Sequence, residues 1–366
     1  RLKNNKKFKL SLIVTGSLFS NYFGNISKEI SKAKLPLNYK IDMSVKGDTE
    51  KDVTNSISLG IKKISKKLKE IKPDLLIVLG DRYETFSATI AACFNRIPIA
   101  HIHGGEITQG LVDEAIRHSI TKLSHIHFVS NKIYAKRVKQ LGEDKSKVFT
   151  VGALGVEALK DTKFMTRNEI EKKLKIKFSK RNIIITFHPE TLESRSQNKI
   201  YLKNLLKALN FVRNTTLIFT MPNADANFKM AYDEIKKFTQ KKANSYLFKS
   251  LGHQKYFSLC RHSDLMIGNS SSGLIEMPSF KKPTINLGKR QNGRVKANSV
   301  LNTNFNVKDI NKKINYCYTD KFLNKIKKQR NPYDNGRSSV KILKILKVLK
   351  INKKILQKKF VDYKNI

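Results

Sequence analysis

The residues able to do chemistry gather directly after short apolar runs. LLIVLG is followed by Asp81, Arg82, Tyr83 and Glu84, and PIA by His101, Ile102, His103, Gly104, Gly105 and Glu106. Further on, NIIITF leads into His188, Pro189 and Glu190, TTLIFT into Met221, Pro222, Asn223, Ala224 and Asp225, and DLMIG into Asn269, Ser270, Ser271, Ser272 and Gly273. PTINLG then delivers a cationic loop, Lys289 to Arg294. Positioned carboxylates and imidazoles move protons. A Ser/Gly turn opening a helix offers free N–H groups, hydroxyls and a positive dipole end, which suit phosphate, and neighbouring cations offset its charge.

Each cluster also has a plainer reading. Asp81 before a helix is placed to be its N-cap. Asp113 and Arg117 are four residues apart, so they share a helical face and can pair as a surface salt bridge. His101 and His103 would share a strand face as a metal pair, but no third ligand sits at characteristic spacing, so no metal is assigned. Separate helix caps do not readily account for so many polar clusters at strand ends.

The elements that must carry these clusters follow from the apolar pattern. Ile57, Ile61, Ile64, Leu68 and Ile71 recur at helical spacing up to Pro73. Residues 75–80 are a continuous apolar run ending in Gly, which predicts a strand buried on both faces of a parallel sheet. Helices are expected over 83–94, 111–123 and 133–141, alternating with strands PIAHIH and IHFVS, after an opening strand FKLSLIVTG and a loop SLFSNYFGN. Alternation of this kind predicts a doubly wound α/β domain. After VFTVGALG a charged stretch over 160–181 reads as a linker, and NIIITF, TTLIFT, SYLFKS, DLMIG and PTINLG read as the strands of a second Rossmann-like half. The expected units are 1–160, 161–340 and a C-terminal helix and basic tail over 341–366. In open α/β sheets ligands lie beyond the carboxyl ends of the strands, where the polar clusters fall.

Composition narrows the function classes. With 366 residues, 40% hydrophobic and 28% charged, the chain can build two cores. Its net charge of +44 invites a nucleic-acid reading, but 59 of the 73 cations are lysine, spread along the whole chain beside 31 asparagines, as AT-biased coding produces. We therefore expect no nucleic-acid partner. The C-terminal lysines Lys341, Lys344, Lys347 and Lys350 drift around a helix rather than forming one stripe. From about Ser338 this segment is expected to close the fold across both domains, with membrane-surface binding as the rival. Cys93, Cys260 and Cys317 are far apart and lack CxxC spacing, which supports neither a disulfide framework nor a zinc site. No apolar run is long enough to span a membrane. These features are read as a cytoplasmic protein without a membrane partner.

GDRYETFSATIAACFNRIPIAHIHGGEITQGLVDEAIRHSITKLSHIHF, then HPE, PNAD, GNSSSGLIEMPSF and PTINLGKRQNGR, in this order, resemble the hydrolysing UDP-N-acetylglucosamine 2-epimerases of sialic and legionaminic acid synthesis. The resemblance spans about residues 8 to 340. It implies a glycosyltransferase-B-like fold, a UDP-sugar in the interdomain cleft, no cofactor, and release of UDP with a free 2-epimerised sugar by elimination and hydration. It implies Asp81, Asp113 and either His103 or Glu106 as acid/base groups, with Arg117 orienting Asp113 and His188 near the diphosphate and sugar. Ser270 and Ser271 would hold phosphate, Glu276 the ribose hydroxyls, and Arg82 and Arg290 would offset anionic charge, with Asn223 also on the substrate. A homo-oligomer is expected.

Two departures accompany the resemblance. The family usually opens with a further strand, a Gly-Thr-Arg loop and a helix, near whose end this chain starts at Arg1, so the first strand and loop of the N-terminal domain are expected to be missing. Part of the family carries Glu at the position of His103. The alternatives are a non-hydrolysing 2-epimerase and an inactive UDP-sugar-binding remnant; the GGE and DEAIRH strings favour the hydrolysing branch.

Overall fold

The computed structural model describes residues 1–16, 30, 35, 39–43, 47–223 and 225–363. The SLFSNYFGN loop lies outside them. Strands β1 (Ile13–Thr15) and β2 (Tyr39–Ile41) pair in parallel. Helix α1 (Glu50–Ile71) starts at a Thr49/Asp52 capping box and stops where Lys72 turns left-handed before Pro73. Its apolar stripe supplies Ile64 and Leu68 to a core shared with Val78, Ala91 and Ile99.

Strands β3 (Leu76–Leu79), β4 (Ile99–Ile102), β5 (Ile126–Val129) and β6 (Val148–Thr150) form a parallel sheet in sequence order. Helices α2 (Tyr83–Phe94), α3 (Asp113–Leu123) and α4 (Lys132–Gln140) connect them. The continuous apolar run of β3 predicted burial on both faces, yet Leu79 is 53% exposed. Among the described residues β3 has a strand partner on one side only, β4, so it forms the edge of its sheet.

The charged stretch expected to be a bare linker is partly helical. Helix α5 (Leu154–Asp161) precedes it, and α6 (Arg167–Leu174) begins at a Thr166/Glu169 capping box and buries Ile170 in the second half's core. There follow β7 (Arg181–Thr186), α7 (Arg195–Asn210), β8 (Thr215–Thr220), α8 (Phe228–Lys241), β9 (Ser245–Phe248), α9 (Gly252–His262) and β10 (Leu265–Gly268). The short helix α10 (Ser272–Ile275), β11 (Thr284–Leu287) and β12 (Val300–Thr303) complete the sheet, with α11 (Val307–Cys317) and α12 (Asp320–Lys327) after it. The parallel order β12-β11-β10-β7-β8-β9 is the doubly wound Rossmann order. Its direction reverses between β7 and β10, which opens a crevice at their carboxyl ends.

The last helix, α13 (Ser338–Val348), forms where the sequence places it. Among the described residues its apolar face rests on the first half: Ile342 and Leu346 pack with Ala100, Ile102 and Phe128, beside Leu2 and Phe8. Spacing alone could not choose that sheet over a seat across both halves. No helix among the described residues is long and apolar enough to cross a membrane.

Candidate functional site

At the β7/β10 crevice the backbone comes unusually close. Gly268 has φ +142, and a Cβ there would run into the carbonyl of Thr186, so only glycine lets β10 turn toward Asn269. The Asn269 amide brackets the residue after β7: its Oδ1 accepts from the N–H of His188 (2.7 Å) and its Nδ2 donates to the carbonyl of His188 (2.8 Å). His188 is thereby fixed, and its Nδ1 accepts from the Asn223 N–H at 3.0 Å. The ring proton therefore sits on Nε2. Burial, then Arg290 and Arg82, push this imidazole well below its ordinary value, so it is neutral.

A pocket of about 410 Å³ opens here, lined among others by His188, Asn223, Tyr256, Ser270, Ser271 and Glu276. Burial raises the Glu276 carboxyl to about 7. The loop after β11 is tied to the residues that follow β7, because Glu190 Oε1 accepts from the N–H groups of Lys289 (2.8 Å) and Arg290 (3.1 Å). Arg290 donates from Nη1 to the Asn269 carbonyl at 3.1 Å, while its buried Nε has no partner among the described residues. Such a guanidinium has a donor left for an anion.

The facing wall comes from the first half. Asp81 does not cap α2, whose cap position is Arg82, with no side-chain capping bond to the helix N–H groups. It takes an ion pair from Arg117 instead. Burial would raise the Asp81 carboxyl, but Arg117 and Arg294 outweigh it and hold it below its ordinary value. Arg117 is buried, and its other bonds run to Glu114 Oε2 (2.9 Å), Thr108 Oγ1 (2.9 Å) and the Glu106 carbonyl (3.0 Å). This corrects the expectation that Arg117 orients Asp113. The guanidinium points inward beneath the 106–108 loop, where Asp81 and Glu114 wait, whereas Asp113 opens α3 on the cleft side.

Asp113 is pushed up to about 6 by burial and by the charges of Asp81 and Asp225, against Arg290 and Arg82. The two histidines after β4 diverge. His101 is a core residue, with Nε2 on the Gly80 carbonyl (2.8 Å) and Nδ1 on Thr121 Oγ1 (3.2 Å), and burial lowers it to about 3. His103 leaves the strand with φ +70, so it does not share a face with His101. Its Nδ1 donates to Glu106 Oε1 at 2.9 Å. The turn behind it needs glycine as well: Gly105 has φ +76, and a Cβ would stand 2.5 Å from the Tyr134 carbonyl.

The two walls meet. The Val112 N–H donates to Thr191 Oγ1 (3.1 Å), and the Gln109 N–H donates to the Asn292 carbonyl (3.3 Å). Arg82 spans the cleft to Asp225 (2.9 Å) and also pairs with Glu84 (3.1 Å), so the cation expected to offset substrate charge already carries two carboxylates. Asp81, His103, Glu106, Asp113 and Arg117 thus cluster on one side, and His188, Asn223, Ser270, Ser271, Glu276 and Arg290 on the other. Sequence reasoning missed Arg294, whose Nη2 lies 3.0 Å from Glu106 Oε2, and Asp225, which anchors Arg82. Both lie in quoted motifs, but nothing in their spacing names a partner from the other half. Among the described residues no three His, Cys, Asp or Glu side chains are grouped as metal ligands.

A doubly wound second half with an anion-suited crevice, closing on a smaller parallel-sheet half that presents acid/base groups, defines a glycosyltransferase-B-like α/β protein. A family model described as UDP-N-acetylglucosamine 2-epimerase matches residues 1–347. The chain belongs to that family. It is 40% identical over 306 residues to a GDP/UDP-N,N'-diacetylbacillosamine 2-epimerase (hydrolyzing) of Campylobacter jejuni, covering 83% of this chain and 79% of the relative. It is 36% identical to polysialic acid biosynthesis protein P7 of Escherichia coli, over 100% of this chain and 91% of that one. The crystal structure of a Neisseria meningitidis UDP-GlcNAc 2-epimerase bound to UDP-GlcNAc shares the fold, with TM-score 0.80, 20% identity and coverage of 94% and 93%.

Proposed function

We propose that the chain is a hydrolysing 2-epimerase that converts a UDP-2-acetamido sugar to UDP and the free 2-epimer. The observation that carries this reading is the pairing, across one cleft, of an anion-suited pocket with a carboxylate held near neutrality. The UDP moiety occupies the β7/β10 crevice, where His188 Nε2–H, the Ser270 and Ser271 hydroxyls and the free Arg290 donor meet the diphosphate, and Glu276 meets the ribose. Asn223 closes the same wall.

The sugar then lies against Asp81, His103 and Asp113. A base takes the C2 proton as the C1–O bond breaks and UDP departs, leaving a glycal. Water next adds its oxygen to C1, and a proton reaches C2 on the opposite face. Asp113, at about 6, both accepts and returns a proton near pH 7. Asp81, kept ionised by Arg117, supplies fixed negative charge beside it. The names of the relatives above support two candidate substrates, UDP-N-acetylglucosamine and its 2,4-diacetamido-2,4,6-trideoxy analogue. The free cysteines fit the cytoplasm, and light scattering will read the expected homo-oligomer.

The test follows the atoms. In deuterated water the freed sugar carries deuterium at C2, and in oxygen-18 water the label arrives at C1 and not in UDP. Protium kept at C2, or oxygen-18 in the nucleotide, sinks the elimination route. No product from either sugar leaves a UDP-sugar-binding protein without turnover.

A further inference from the structure

Glu106 and His103 touch, and both are of a type that moves protons, but their surroundings differ. Glu106 is 2% exposed and its oxygens are all engaged. Oε1 accepts from His103 Nδ1 (2.9 Å) and Ser130 Oγ (3.3 Å), and Oε2 faces Arg294 Nη2 (3.0 Å). An ionised carboxylate only accepts, and protonating this one would abandon a buried guanidinium. Burial alone would raise Glu106, yet Arg294 and the His103 bond hold it at about 2.

His103 is the complement. Its side chain is 15% exposed, and with Nδ1 on Glu106 its Nε2 has no partner among the described residues. It also lies near Glu276, on the pocket wall.

Arg294 comes from the other half and is itself braced. The next N–H, of Val295, donates to the Tyr134 hydroxyl (2.9 Å), while the Tyr333 hydroxyl donates to the Val295 carbonyl (2.7 Å). The two hydroxyls are 2.8 Å apart. Arg294 Nε and Nη1 are buried without partners among the described residues.

We infer that Glu106 and Arg294 are positioning residues which lock His103 with its proton on Nδ1, leaving Nε2 as the group that exchanges a proton with the sugar. This rests on the elimination reading above, and it makes a loop of the second half part of the support of a first-half imidazole. A carboxylate on one ring nitrogen sets which tautomer the other presents.

The experiment uses the full chain. His103→Gln should lower kcat by about a hundredfold or more with UDP affinity within roughly threefold, and imidazole should restore His103→Gly at least about tenfold. Glu106→Gln, which keeps an acceptor for Nδ1–H, should lower kcat by only about tenfold with KM nearly unchanged. Because Glu106→Gln strands the Arg294 charge, the paired Glu106→Gln/Arg294→Met variant removes both charges and should show a loss of the same size. Nitrogen-15 histidine spectra, with His103→Gln to assign the signal, should show the Nδ1–H form of His103 in the unliganded wild type and its loss in Glu106→Ala. Glu106→Gln being worse than His103→Gln, absent imidazole rescue, or an Nε2–H tautomer in the wild type overturns the inference. If neither sugar is turned over, the proposed function fails while the tautomer spectra still decide the positioning.

Discussion

A carboxyl screened from water and set beside Asp81 and Asp225 gives up its proton reluctantly, which holds Asp113 at about 6 rather than its ordinary 3.8. Since the folded value is the higher one, the fold favours the protonated form. That contribution to stability is full below about pH 4 and is lost as pH rises through about 6. Asp113→Asn should therefore melt higher than the wild type at about pH 7.5, with the gap closing by about pH 4.5, while kcat falls about a hundredfold or more. A constant gap across that range argues against the raised Asp113. On the opposite wall, Arg290→Ala should weaken UDP by roughly ten- to a hundredfold, the usual size for a lost charge-assisted bond, while Asp113→Asn leaves it nearly unchanged. Calorimetric titration ranking Asp113→Asn as the poorer UDP binder reverses the two assignments.

Among elements, α3 matters most, since it carries Asp113 at its start and Arg117 in its middle. Its far end is held by the basic tail. Lys358 Nζ donates to the carbonyls of Lys122 and Ser124, both at 2.6 Å, and to Glu143, which also holds Lys122 and His127. Burial would raise Glu143, but these hydrogen bonds keep it at about 2. The tail thus places a cation on the last carbonyls of the helix, where the dipole favours one. Tyr363 adds a bond from its hydroxyl to the Glu143 carbonyl at 3.0 Å. Lys358→Met should cost about 1–3 kcal/mol, read as a lower urea midpoint, because a charged donor and two carbonyl acceptors lose each other. An unchanged midpoint means that the tail adds nothing to α3.

For the whole molecule, a net charge of +44 surrounds the cleft proposed above to take a UDP-sugar. Such a field speeds the encounter with anions and is screened by salt. kcat/KM should fall several-fold between about 0.05 and 0.5 M salt, mostly through KM; a flat response means the lysines only solvate the surface. The sequence alone determined the order of strands and helices, because apolar periodicity is a property of neighbouring residues: residues 83–94 are the helix the pattern predicts, and the polar clusters stand at strand ends. Both capping boxes, Thr49/Asp52 and Thr166/Glu169, are local in sequence as well, yet neither is part of the sequence reading above. Tertiary structure decided which charges pair. Spacing offered Arg117 to Asp113, whereas folding placed it on the remote Asp81, beside its helix neighbour Glu114. Arg294 has no local mark, since its partner Glu106 lies in the other half of the chain. Periodicity is short-ranged, whereas an ion pair forms wherever folding leaves two charges together out of water, and no spacing along the chain encodes that distance.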